Sequence, residues 1–192
     1  MIKVIAFDYA DVIAPSPVAK WLRENMTPNH KMYLYYQKHS KGWDIGESNR
    51  QKVYEVLYKV TGVPTHKIWE KFYKNYIADK QIVELIKKIK KDYKIILFSN
   101  FVGEILRELL EKDNIAKLFD EIIISSEHKM QKPNTDFFNI LIEKSGVEKY
   151  EILFIDDRII NIEGAQRMGI NAIQFKGVKD LIKEMQKFDV KP

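Results

Sequence analysis

Residues 152–170 read Ile-Leu-Phe-Ile-Asp-Asp-Arg-Ile-Ile-Asn-Ile-Glu-Gly-Ala-Gln-Arg-Met-Gly-Ile, and two structural periods lie side by side in them. Residues 152–155 are a short unbroken apolar run, the pattern of a strand buried on both faces, and it stops at Asp156-Asp157. Ile162, Ala165 and Met168 then recur at helical spacing and close at Gly169, a residue suited to a C-cap. Strand, polar turn and helix make one β-α unit. Outward from it the unit repeats. Apolar runs at 2–7, 94–98, 121–124 and 171–175 alternate with helical periods at Ile82, Leu85, Ile86, Ile89; Ile105, Leu106, Leu109, Leu110; and Phe137, Ile140, Leu141. Five strands with helices between them predict an α/β fold, a doubly wound parallel sheet.

Residues 15–78 break the alternation. They contain no strand-like run and read as helices over 18–25, 31–39, 48–61 and 66–77, interrupted at Pro28, Gly42, Gly46 and Gly62-Val63-Pro64. The expected organisation is therefore a core of residues 1–14 and 79–192 with an all-helical domain, 15–78, inserted after the first strand. The insert carries 11 basic against 5 acidic side chains, so it holds the positive excess of a chain whose net charge is +5. It also holds Trp21, Trp43, Trp69 and three of the four histidines. A basic, aromatic surface can bind nucleic acid or steer a small anion into a cleft. The helical spacing of Tyr54, Leu57 and Tyr58 points instead to packing inside the insert, which argues against nucleic acid.

The chain has 192 residues, 45% of them apolar and 31% charged, which excludes both a large multidomain assembly and a disordered segment. It contains no cysteine, so disulfides, thiolate metal sites and cysteine nucleophiles are ruled out for this sequence. Residues 1–7 are too short for a signal h-region and end at Asp8, and no apolar run approaches the roughly 20 residues that cross a bilayer. The expected location is the cytoplasm, with no membrane partner.

In open α/β sheets the ligand site lies beyond the carboxyl ends of the strands, so the residues that follow each run carry the chemistry. They are Asp8 after the first, Ser99 and Asn100 after the second, Ser125-Ser126-Glu127 and then Lys132-Pro133 after the third, and Asp156-Asp157 after the fourth. Any one of these is also an ordinary turn or cap residue. Together they bring three carboxylates, a hydroxyl and a lysine to one cleft. Three packed carboxylates repel unless one is protonated or a divalent cation neutralises them, and oxygen donors without thiols suit Mg²⁺. Beside a metal and a lysine, Asp8 stays ionised and can attack an electrophile, with the charge of a phosphoryl group met by Mg²⁺, Lys132, Ser99 and backbone N–H groups.

The sequence resembles the haloacid dehalogenase superfamily along its whole length, in particular its phosphatase-like members with a helical cap after the first strand. The resemblance rests on IKVIAFDYADVI (2–13), ILFSN (96–100), KMQKPNTDFF (129–138) and ILFIDDRIINIEGAQRMGI (152–170), with a cap turn at GWDIGES (42–48). It implies that Asp8 is the nucleophile, Ser99 the phosphate-binding hydroxyl and Lys132 the family's lysine, with Asn100 beside the substrate. It further implies a Mg²⁺ held by Asp8, the Ala10 carbonyl and Asp157, with Asp156 as a second or water-mediated ligand and Asn161 orienting the acidic pair. One position departs. The usual acid two residues after the nucleophile is Ala10, and Asp11 stands one place later, where its side chain is expected to aim elsewhere. General acid–base help is worth roughly 10² to 10⁴ in rate, so its loss predicts a slow enzyme or one limited to good leaving groups. The expected function is a Mg²⁺-dependent phosphatase of a small phosphorylated metabolite, a sugar phosphate among the options. The alternatives are a 2-haloacid dehalogenase, against which the retained acidic pair argues, and a non-catalytic binding protein.

Overall fold

A computed structural model describes residues 1–191. The chain runs β1 (Val4–Phe7), α1 (Pro17–Asn25), α2 (Lys31–Ser40), α3 (Arg50–Thr61), α4 (Thr65–Lys71), α5 (Lys80–Ile89), β2 (Lys94–Ser99), α6 (Gly103–Lys112), β3 (Glu121–Ile124), α7 (Ser125–His128), α8 (Thr135–Ser145), β4 (Ile152–Asp156), α9 (Ile159–Arg167), β5 (Asn171–Gln174) and α10 (Val178–Gln186). The five strands are all parallel, in the order β3-β2-β1-β4-β5. The chain therefore builds outward from β1 to β3 and then crosses to the other side at β4, which makes the gap between β1 and β4 the topological switch point.

Alternation along the strands supplies both faces of the sheet. Ile5, Phe7, Leu97, Leu153 and Ile155 pack with Leu85, Leu106, Leu109 and Leu181, from α5, α6 and α10. Val4, Ala6, Phe98 and Phe154 pack with Phe137, Phe138, Leu141 and Ile162, from α8 and α9. The continuous apolar character of the runs follows from this two-sided burial.

Four helices, α1 to α4, intervene between β1 and α5. Their apolar stripes meet around Val18, Leu22, Val53, Leu57, Ile68 and Phe72, all buried. Leu57 lies in this core as its spacing predicts, whereas Tyr58 is 53% exposed. Helix α1 begins at Ser16, whose Oγ accepts from Ala19 N at 3.2 Å and also shares a 2.6 Å hydrogen bond with the Tyr76 hydroxyl. Ser16→Ala should therefore lower stability by about 1–2 kcal/mol, read as a shift of the urea midpoint, because it removes a cap and strands a buried phenol. Helix α3 is tied to the core by Arg50, whose Nη2 lies 2.6 Å from Glu108 and donates to the Glu104 carbonyl at 3.1 Å.

The expected helix over 66–77 stops at Lys71 and tightens into a 3₁₀ turn, Tyr73–Asn75, because the Asn75 side chain donates to the carbonyls of Glu70 and Lys71. Residues Ser125–His128, which directly follow the third apolar run, form the short α7, ended by Lys129 in the left-handed region at φ 56°. Helix α10 extends the fold beyond the fifth apolar run, with Leu181 and Met185 spaced as its buried stripe. Among the described residues no helix is long and apolar enough to cross a membrane.

Candidate active site

Register decides what gathers at the switch point. Phe7 sits opposite Leu97 on one side and Ile155 on the other, and Asp8 N donates to the Ile155 carbonyl at 2.9 Å. Asp8, Ser99 and the Asp156-Asp157 pair therefore leave their strands at one level. Asp8, Asp156 and Asp157 each place a carboxylate oxygen within 4.8 Å of the others. Lys132 arrives from the loop before α8, with its side chain fully enclosed. Its Nζ lies 3.1 Å from Asp8 Oδ1 and 2.6 Å from Asp156 Oδ2, and it donates to the Phe98 carbonyl at 2.8 Å.

The three carboxylates are not equivalent. Asp156 is wholly buried and both its oxygens are engaged, by Lys132, by Arg158 N at 2.8 Å and by Asn161 Nδ2 at 3.0 Å to each. Asn161 thus orients Asp156, and its own Oδ1 is buried without a partner among the described residues. Asp157 is half-buried and opens onto a cavity. Burial, and then the charges of Asp8, Asp156 and Asp11, push its carboxyl up to about 7. Burial also raises the Asp8 carboxyl, against the pull of Lys132 and of the Ser99 hydroxyl, which donates to Asp8 Oδ1 at 2.7 Å. Burial works against the charge on Lys132, but Asp8 and Asp156 outweigh it and hold the ammonium protonated. One lysine against three crowded carboxylates leaves excess negative charge on oxygen donors, which is the chemistry a divalent hard cation fits.

A cavity of about 270 Å³ opens over this cluster between the sheet end and the inserted helices. Asp8, Ala10, Asp11, Asn100, Asp157 and Asn161 line it. Ser99 and Lys132 do not line it; they stand behind Asp8. Asn100 spends its side chain on the Lys132 backbone, accepting from Lys132 N at 2.8 Å and donating to its carbonyl at 3.0 Å, so it locks two loops together. Asp11 adopts φ 57°, and its carboxylate accepts from Ser16 N at 2.7 Å, so it is committed to the entry of α1.

Residues 15–78 contribute groups to the cavity that the sequence left unassigned. Tyr36 and Trp43 line it, joined by Tyr73 and Tyr76 and, from the core, by Phe101 and Arg158. Asp44 also lines it, and burial followed by the charge of Asp8 pushes its carboxyl up to about 6, with Lys132 and Arg158 opposing. Its sequence signal is the 42–48 turn between two helices of the insert. That turn is pinned at Gly46, where φ is 74° and an added Cβ would stand 2.5 Å from the Ser126 carbonyl oxygen. Gly46→Ala should cost about 1–3 kcal/mol in thermal or urea unfolding, from the left-handed backbone together with the backbone clash.

A parallel sheet with a helical insertion after β1, and carboxylates clustered at its switch point, define a class of α/β enzymes. The family profile described as haloacid dehalogenase-like hydrolase matches residues 45–175, and the chain belongs to that family. Among curated relatives, phosphoglycolate phosphatase of Aliivibrio fischeri is 29% identical over 83 residues, which are 43% of this chain and 37% of the relative. (S)-2-haloacid dehalogenase 4A of Burkholderia cepacia is 23% identical over 103 residues, 53% of this chain and 45% of the relative. The chain spans less than half the length of the curated relatives it matches. A HAD family enzyme of Bacteroides thetaiotaomicron, solved with magnesium and inorganic phosphate, superposes with a TM-score of 0.75 at 21% identity, covering 92% of this chain and 95% of that one. At that identity the likeness is one of fold.

Proposed function

We propose that this chain is a Mg²⁺-dependent phosphomonoesterase that takes the phosphoryl group of a small metabolite onto Asp8. The observation that carries the reading is the position of Asp8. It lies at the floor of the cavity, held by Ser99 and Lys132 and flanked by Asp157. In this reading one Asp8 oxygen attacks phosphorus while the Ser99 hydroxyl and Lys132 fix the carboxylate's orientation and balance its charge. Asp8, Asp157 and the Ala10 carbonyl would hold the cation, and Asp156 serves chiefly to fix Lys132. When bound, Mg²⁺ offsets the negative charge of the phosphoryl oxygens and of the carboxylates together. The segment 15–78 acts as the cap, closing water out and offering an aromatic wall to the alcohol portion.

A dehalogenase reading is weaker on charge. A 2-haloacid brings its own carboxylate into a cavity already lined by Asp8, Asp11, Asp44 and Asp157, with Arg158 as the cation on its wall.

The test is phosphate release from a panel of phosphomonoesters with Mg²⁺ and with EDTA. Mg²⁺-dependent release supports the reading; halide release from 2-chloropropionate without release of any phosphate overturns it. Independently of turnover, Mg²⁺ at about 100 times its dissociation constant should stabilise the fold by about 2.7 kcal/mol, and Asp157→Asn should abolish most of that gain in thermal unfolding.

A further inference from the structure

We infer that Asp44, delivered by the turn between α2 and α3, is the general acid–base that Ala10 does not supply. The inference rests on the phosphatase reading. In-line displacement at phosphorus places the leaving oxygen on the side away from the attacking Asp8, and the inserted segment supplies Val18, Tyr36, Trp43, Asp44, Tyr73 and Tyr76 to the cavity's lining.

The other carboxylates are spoken for. Asp8 is bound to Ser99 and Lys132, Asp11 to Ser16 N, and Asp157 sits within the carboxylate cluster of Asp8 and Asp156. Asp44 faces the same cavity with no hydrogen bond or ion pair to its carboxyl group among the described residues. The turn that carries it is rigid. Glu47 N donates to the Gly42 carbonyl at 2.9 Å and Gly46 N to the Trp43 carbonyl at 3.2 Å, while Gly46 seats the turn against Ser126 of the core. A carboxyl held by a turn in the wall of the nucleophile's own cavity, free of other partners and raised by burial to about 6, has the placement and the acidity that proton exchange with a leaving group needs.

The step balances. As the Asp8 oxygen–phosphorus bond forms and the phosphorus–oxygen bond to the alcohol breaks, the Asp44 carboxyl gives its proton to the departing oxygen, and the alcohol leaves neutral. The Asp44 carboxylate then takes a proton from the water that attacks phosphorus. The bond to Asp8 breaks, inorganic phosphate leaves, and Asp44 is again protonated.

Three aromatic esters that suit the cavity wall test this: 4-nitrophenyl, phenyl and benzyl phosphate, in order of decreasing leaving-group acidity, each with Mg²⁺. With an acid present, kcat/KM of the wild-type protein should vary little across the series. Asp44→Asn should make it steep, with a loss on benzyl phosphate exceeding that on 4-nitrophenyl phosphate by about 10²-fold or more. Three results would overturn the inference alone: an already steep wild-type series, an equal loss on all three esters in Asp44→Asn, or no loss. The wild-type series stands even if the variant fails to fold. If folded wild-type protein with Mg²⁺ cleaves none of the three, the phosphatase reading fails and this inference with it.

Discussion

Asp8→Asn is expected to lower turnover of every phosphomonoester by roughly 10⁴-fold or more, the scale on which hydrolases respond to loss of a nucleophile. The amide keeps the shape and can still receive the Ser99 hydroxyl at the position where Asp8 Oδ1 lies 2.7 Å away, but it is a poor nucleophile and a weaker cation ligand. Stability should move little and can rise, since one of three carboxylates gathered within 4.8 Å of one another loses its charge while Lys132 keeps Asp156. Circular dichroism and thermal unfolding check the fold; phosphate release checks the chemistry. Rapid turnover by the folded variant would remove Asp8 from the reaction.

Lys132→Met should have the largest effect on stability, a loss of about 3–5 kcal/mol in urea unfolding. That is the usual consequence of removing one partner from a buried ion pair. The ammonium is fully enclosed, bonded to Asp156 and Asp8 and the Phe98 carbonyl, and it sits 5.0 Å from the Phe154 ring centroid. Methionine fills similar volume but leaves both carboxylates without a counter-charge. Adding Asp156→Asn to Lys132→Met should recover part of the loss, because the more deeply buried orphan charge is then gone. A double variant no more stable than the single one would show that Lys132 matters through packing.

The sheet was legible because burial on both faces leaves continuous apolar runs, and each run ends at the carboxyl edge where charge is tolerated. Asp8, Ser99, Lys132 and the acidic pair could thus be placed in one site from residues 1–14 and 79–192. Their division of labour could not. Whether Asp156 faces a cation or Lys132 depends on side-chain directions one residue apart on the turn after β4, and only the hydrogen bonds from Asn161 and Arg158 N decide it. Asp11 accepts from Ser16 N and yet lines the same cavity, a placement that its one-residue offset from Ala10 does not reveal. Asp44 was out of reach for a different reason. It lies 36 positions after Asp8 in a helical segment whose periodicity reports only that segment's own packing, and its approach to the cavity is set by the seat of Gly46 on Ser126. The aromatic side chains were similarly ambiguous, since Tyr36 and Trp43 serve both the insert's interior and the cavity wall.

The covalent route through Asp8 is tested most directly by rapid acid quench during turnover of a phosphomonoester labelled in its phosphoryl group, with Mg²⁺, followed by peptide mapping. The account predicts transient label, lost on treatment with hydroxylamine, in the peptide containing Asp8, and none in Asp8→Asn. Label on another peptide, or label surviving in Asp8→Asn, would contradict it.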